Sequence, residues 1–140
     1  MLPRMFFQGL LAFLPLSFVA ISLGDDPKSA SKIVPAAEAK DHLDKECTVE
    51  MTVLSSKNAE KSKVFYLDSE KDFRDPKNAV VVISYDHLDA FKKAGIDDPS
   101  THYLNKTIRV LGTPKKVSDQ VRIRVEDPKK IEVLKNKKGS

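Results

Sequence analysis

The chain has 140 residues and a single cysteine, so no internal disulfide can form and the fold must depend on packing alone. Its 24 basic and 20 acidic residues give a net charge of +4, which is too small to indicate a nucleic-acid-binding protein by composition. A chain of this length is enough for one domain and too short for two.

The first 24 residues have the pattern of a secretory signal peptide. Arg4 is the only charge, an apolar run over residues 5–23 follows it, and small residues, Ser22 and Gly24, stand where a signal peptidase reads. We therefore expect export to the periplasm or the exterior, with no stable membrane insertion after cleavage. The alternative is an uncleaved membrane anchor, because the run is close to the lower limit of about 17–20 residues for a spanning helix.

Cleavage would leave 116 residues with an uneven distribution of charge. Residues 25–103 contain 12 bases and 16 acids, whereas residues 104–140 contain 11 bases and 4 acids. This asymmetry predicts either a surface that faces a polyanion or a solvating basic tail.

Composition divides the rest of the chain into three parts. Residues 25–35 are rich in Asp, Pro, Lys and Ser and are predicted to be a linker. Residues 36–134 contain the periodic apolar patterns of a folded domain, which begins with helix formers at residues 36–43. Residues 135–140 are predicted to be a basic tail.

The domain is predicted to contain five strands and one helix. The strands are residues 46–54, 63–67, 79–83, 107–113 and 121–125, with residues 131–133 continuing the last one. In the first strand Val49, Met51 and Val53 are predicted to point inward, and the all-apolar third strand is predicted to be buried on both faces. Leu88 and Phe91 share one side of the helix. The intervening residues 55–62, 68–78, 97–99 and 114–119 read as turns or loops.

This order, β-β-β-α-β-β, is that of a five-stranded OB-fold barrel, an all-β fold with one or two short helices. A bend at Gly112 and the interruption at Pro128 fit strongly coiled strands that close a small barrel. An open α+β sheet is the structural alternative.

Three segments also resemble a known family. Residues 38–49 (EAKDHLDKECTV), 103–113 (YLNKTIRVLGT) and 121–131 (VRIRVEDPKKI) are similar to the opening, fourth strand and fifth strand of small exported bacterial OB-fold domains. Those domains are of the nucleic-acid-binding-like, or tRNA anticodon-binding-like, type. The family often has glycine where Asp44 and Asn105 stand, and asparagine tolerates the left-handed turn conformation. The resemblance implies an OB fold and a class of ligand.

The histidine, cysteine and acidic residues of this sequence do not have the spacing of known catalytic or metal-binding motifs. His42, His87 and His102 lack the spacing of a zinc site, and Cys47 lies on an apolar stripe where a buried, unactivated thiol is expected. The acidic residues 68–72 alternate as in a calcium loop, but Phe73 stands where that loop needs glycine, so a solvated loop is favoured. We therefore expect no enzyme, no metal and no cofactor. The carboxylate and arginine arrangement of an OB-fold nuclease is not recognisable.

Ligand binding is the function that remains. OB barrels bind ligands on the face of strands 2 and 3 and on the loops that flank it, where aromatic rings stack bases and lysines grip phosphates. The candidate ligand-binding residues are Tyr66, Lys57, Lys61, Lys63, Lys115, Lys116, Arg109, Arg122 and Arg124. They predict an exported module for single-stranded nucleic acid or another oligoanion. The alternative is that Tyr66 packs in the core and the lysines solubilise, in an envelope domain that binds a protein partner or a small ligand.

Overall fold

The computed structural model describes residues 32–135. The predicted signal segment, residues 25–31 of the predicted linker and residues 136–140 of the predicted tail lie outside the described residues. Within residues 32–135, no helix combines the length and the hydrophobicity that crossing a membrane requires.

The described residues are mostly β-structure. They form β1 (Ile33–Pro35), β2 (Cys47–Thr52), β3 (Ser55–Ala59), β4 (Val64–Asp68), β5 (Ala79–Ser84), β6 (Thr107–Gly112), β7 (Lys115–Val117), β8 (Gln120–Arg124) and β9 (Ile131–Val133). Two short α-helices, α1 (Leu88–Lys93) and α2 (Pro99–His102), lie between β5 and β6. Single 3-10 helices occur at Ala36–Asp41, Tyr85–His87 and Pro128–Lys130.

The strands are arranged in two sheets, one with the order β1-β2-β6-β9 and the other with the order β3-β4-β5-β8-β7. Strands β3, β4 and β5 form an antiparallel meander, β5 pairs with β8 in parallel, and β2 pairs with β6 in antiparallel. These pairings confirm the all-β, OB-type fold.

The two sheets do not close into the single barrel that the sequence predicts. Strand β8 pairs with β5, and the chain then leaves the sheet at Asp127, whose carboxylate accepts a hydrogen bond from the Lys129 amide and caps a 3-10 turn. Only after that turn does β9 pair with β6. The predicted fifth strand is therefore two strands in two sheets, because the Asp-Pro cap breaks the ladder between them.

The inner faces of the two sheets form one apolar core. Val49, Met51 and Val53 are buried whereas Thr52 is exposed, which confirms the predicted orientation of the first strand. Helix α1 buries Phe91 against this core, as its apolar spacing predicts. The helix follows a turn capped by Ser84, whose hydroxyl accepts a hydrogen bond from the Asp86 amide.

Three segments that were predicted as turns or linker contain regular structure. Residues 55–59 form the edge strand β3, and residues 33–35, at the end of the predicted linker, form β1. The predicted turn at residues 114–119 contains β7, and the turn itself is reduced to Ser118 and Asp119, both left-handed as a two-residue hairpin requires. The turn predictions for residues 55–59 and 115–117 were wrong because pairing to a neighbouring strand, not apolar alternation, forms such short edge strands.

Asp44 and Asn105 have left-handed backbone conformations. Asp44 has φ 66° and Asn105 has φ 67°, values that favour glycine and are tolerated by asparagine and aspartate. Gly112 has a different role. A Cβ added there would lie 2.6 Å from Cγ2 of Ile123, so Gly112 permits β6 and β8 to approach each other closely.

Candidate ligand-binding face

The outer face of the five-stranded sheet brings together residues that are far apart in the sequence. Lys57 lies opposite Tyr66, Tyr66 lies opposite Val82, and Val82 lies opposite Arg124. Because directly paired residues point to the same side of a sheet, these four side chains form one row across β3, β4, β5 and β8. We call this the Tyr66 row.

A second row runs beside the Tyr66 row on the same face. Asp68 lies opposite Val80, Val80 opposite Arg122, and Arg122 opposite Lys115. Val80 and Val82 are 2% and 7% exposed, although they face away from the core. This confirms the prediction that the third strand is buried on both faces, and it shows that the side chains of the two rows cover β5 from outside.

A groove of about 250 Å³ opens between the two rows. We call it the Tyr66 groove, and it is lined by Lys57, Tyr66, Asp68, Phe73, Val80, Gln120 and Arg122. The groove therefore contains two aromatic rings, two cationic side chains and one carboxyl group, and Val80 lies at its base. Such a mixture suits a ligand with a flat, apolar part and a negative charge.

Contacts on both sides hold Arg122 in the Tyr66 groove. The Cζ atom of Arg122 is 5.7 Å from the centroid of the Tyr66 ring, within the range of a cation–π contact. Nε and Nη2 of Arg122 donate hydrogen bonds to Gln120 Oε1 at 3.1 and 2.9 Å. The guanidinium is therefore oriented before a ligand arrives, which lowers the entropic cost of binding.

The carboxyl group of Asp68 is the negative element of the Tyr66 groove. Asp68 is 8% exposed and accepts a hydrogen bond at 3.0 Å from Nδ2 of Asn78. Burial raises the pKa of this carboxyl, and the Asn78 hydrogen bond and the charge of Arg122 partly oppose that shift. The negative charge of Asp68 weakens the attraction of Lys57 and Arg122 for an anionic ligand.

The loop at residues 69–78 is organised around the Asn78 side chain. Asn78 Oδ1 accepts hydrogen bonds from the Glu70 amide at 3.0 Å and from the Ser69 hydroxyl at 3.3 Å, and Nδ2 also donates to the Phe73 carbonyl at 3.3 Å. These bonds hold Phe73 at the edge of the Tyr66 groove with 54% of its surface exposed. The loop that was predicted to be merely solvated therefore presents an aromatic ring.

The acidic side chains of this loop do not converge on one point. The Asp68 carboxyl turns inward to Asn78, whereas Asp72 accepts a hydrogen bond from Arg74 Nε at 3.2 Å. Over residues 32–135 no group of three metal-ligating side chains occurs. Cys47 is buried in β2, and burial, followed by the charge of Glu46, raises the pKa of its thiol.

The structure places the other predicted site residues away from the Tyr66 groove. Arg109 lies on the outer face of the four-stranded sheet, with its Nε 3.0 Å from Glu50 Oε1. Lys115 belongs to the second row, but its Nζ is 3.0 Å from Asp44 Oδ1. Lys116 follows Lys115 in β7 and points to the opposite side of that strand. Lys61 and Lys63 are exposed in the β3–β4 turn.

The predicted set thus divides in two. Lys57, Tyr66, Arg122 and Arg124 share one face close to the groove, whereas Arg109 lies on the other sheet. Sequence reasoning missed Phe73, Asp68 and Gln120, which also line the groove. For Phe73 a signal existed, since a lone aromatic among the charged residues of a loop has no core to fill.

The fold defines an OB-type domain, and one of its outer faces carries a groove lined by Lys57, Tyr66 and Arg122. A protein assigned as an aspartyl-tRNA synthetase from Leishmania major Friedlin is similar to the chain, with a TM-score of 0.50 and 13% sequence identity. The alignment covers 84% of this chain and 23% of that protein, so the chain spans about a quarter of its length. At this identity the similarity shows a common fold.

Two other solved structures are similar in length to the chain. OBody AM1L10, bound to hen egg-white lysozyme, is 16% identical, with a TM-score of 0.49 over 72% of this chain and 91% of that one. The hypothetical protein ygiW from E. coli is 12% identical, with a TM-score of 0.44 over 75% and 92%. No protein-family model matches the sequence, and no curated protein matches it significantly.

Proposed function

We propose that this chain is an exported, non-catalytic module that binds single-stranded nucleic acid, or a similar oligoanion, on the outer face of its five-stranded sheet. One observation carries the proposal: Tyr66, Arg122 and Lys57 line a single groove on the sheet face where OB folds bind ligands. Export follows from the pattern of residues 1–24, and it implies a periplasmic or extracellular ligand.

The chemistry of the Tyr66 groove supports a nucleotide strand. A base can stack on the half-buried ring of Tyr66, and stacking accepts any base because every base has a π face. Lys57 and Arg122 lie on either side of that ring and supply the positive charge for the phosphates. Over the described residues neither of these two cations forms an ion pair within 4.0 Å.

A protein partner in the envelope is the second candidate, and the exposure of Phe73 favours it. An aromatic side chain that is 54% exposed is typical of an interface anchor, and a single groove is a short track for a strand. The two candidates differ in their dependence on salt, since nucleic acid binding releases counterions and a mainly apolar contact does not.

The test is fluorescence anisotropy with a labelled twelve-residue oligothymidylate at several salt concentrations. We expect the affinity of the wild-type protein to fall with salt, at a slope of about −0.7 for each phosphate contact. Tyr66→Ala should weaken binding by about 1–3 kcal/mol and leave that slope unchanged, because stacking involves no charge.

Tyr85→Phe is the matched control, because Tyr85 lies in the 3-10 turn after β5, outside the Tyr66 groove. It should bind as the wild type does. Binding that is lost at physiological salt, or that Tyr66→Ala leaves intact, would contradict the proposal and favour the protein-binding candidate.

A further inference from the structure

Phe73 stands between two grooves. On one side is the Tyr66 groove. On the other is a second cavity of about 320 Å³, enclosed by the loop at residues 69–78 and the β7–β8 turn at Ser118 and Asp119. We call it the turn groove. Phe73 and Gln120 line both cavities, so the Phe73 side chain forms a common wall.

The two grooves differ in charge. The Tyr66 groove contains Lys57 and Arg122, whereas the residues that line the turn groove include Asp75 and Asp119 as well as Arg74. Arg74 is already paired with Asp72 at 3.2 Å. Carboxylates repel phosphate but accept hydrogen bonds from the N–H donors on base edges, which are amino groups in adenine and cytosine and the N3–H in thymine. The turn groove therefore suits a base, and the Tyr66 groove suits a base together with its phosphate.

The ring of Phe73 is placed for stacking. The Asn78 side chain holds the backbone of Phe73, and the exposed ring carries the Arg74 guanidinium at 5.7 Å from its centroid. Arg74 is itself largely exposed, so it can move aside for a base or stack upon one. A ring that walls two neighbouring cavities can contact one base in each of them.

We propose that Phe73 separates two adjacent base-binding subsites, so that the face binds two consecutive nucleotides of a single strand. One base lies between Tyr66 and Phe73, and the next lies in the turn groove. This inference rests on the proposed function, and it adds a defined site size of two nucleotides.

The test is competition against the labelled oligothymidylate by thymidine monophosphate, dinucleotide and trinucleotide at one salt concentration. For the wild-type protein the dinucleotide should bind about 5- to 150-fold more tightly than the mononucleotide, the gain from stacking one further base. The trinucleotide should add much less. Phe73→Ala should weaken the mononucleotide, which loses one stacking contact, and weaken the dinucleotide more, because Phe73 contacts a base in each subsite. The dinucleotide's advantage should therefore fall, whereas Tyr66→Ala should weaken both ligands alike and leave that advantage intact.

Phe73→Leu is the matched variant, because it keeps an apolar side chain in the loop but has no aromatic face. It should lose the advantage as Phe73→Ala does, and full retention by Phe73→Leu would overturn the inference. If the protein binds the labelled strand but has equal affinities for the mononucleotide and the dinucleotide, the two-subsite inference is wrong and the proposed function still stands. A wild-type protein that does not bind the labelled strand would instead overturn the proposed function.

Discussion

The outer faces of the two sheets differ in what lies opposite their arginines. On the four-stranded sheet, Arg109 lies opposite both Glu50 and Glu132, so the charges in that row compensate one another. On the five-stranded sheet, Arg122 and Arg124 lie opposite valines. The comparison teaches that an arginine on a sheet is more available to a ligand where its directly paired neighbours carry no carboxylate.

The largest expected effect is on the free energy of unfolding, and it compares a core residue of the four-stranded sheet with a residue on its outer surface. Val53→Ala should lower the free energy of unfolding by about 1–3 kcal/mol, because the side chain is fully buried. Thr52→Ala should stay within about 0.5 kcal/mol, although Thr52 shares an exposed hydroxyl hydrogen bond of 2.8 Å with Thr107. Urea denaturation measures both, and equal losses would mean that this outer face is structurally important.

The next effect compares one arginine from each sheet. Arg122→Ala should weaken oligonucleotide binding and reduce its salt slope by about 0.7, the value for one phosphate contact with a single strand. Arg109→Ala should leave both unchanged, since Arg109 is paired with Glu50 and lies on the other sheet. Anisotropy titrations at several salt concentrations measure the slopes. Equal slopes for the two variants would show that the faces do not differ in function.

The smallest effect concerns the carboxyl group within the Tyr66 groove. The pKa of Asp68 is raised by burial, so the group takes up a proton at a higher pH than an exposed aspartate does. As pH falls through that raised pKa the negative charge is lost, and binding of an anionic strand should strengthen. Asp68→Asn should bind more tightly than wild type at neutral pH, by about 1 kcal/mol, and lack this pH dependence.

The same carboxyl group has a consequence for stability. A raised folded-state pKa means that the folded protein binds the proton more tightly than the unfolded chain does, so this group destabilises the fold as pH rises through its pKa. Asp68→Asn should remove that contribution while keeping a side chain of the same shape beside Asn78. Urea titrations of both proteins across mildly acidic pH measure it, and identical pH profiles would contradict the burial effect.

Several features of the fold were predictable because they are local. The alternation in β2 and the apolar run of β5 identify buried strands, since side chains alternate across a strand. Asp98 and Pro99 also carry a helix-start signal, although residues 97–99 were predicted to be a turn. The Asp98 carboxylate accepts a hydrogen bond from the Ser100 amide at 2.9 Å, and proline occupies the first turn of α2.

By itself, the sequence determined the strands of the core, the β-β-β-α-β-β order, and the presence of basic residues and of Tyr66 on the predicted second strand. Tertiary structure alone decided which of those residues share a face. Tyr66 and Arg122 meet because β5 lies between β4 and β8, and Phe73 reaches the same groove because Asn78 holds its loop. Such contacts depend on register between distant strands and on loop hydrogen bonds, which local periodicity does not specify.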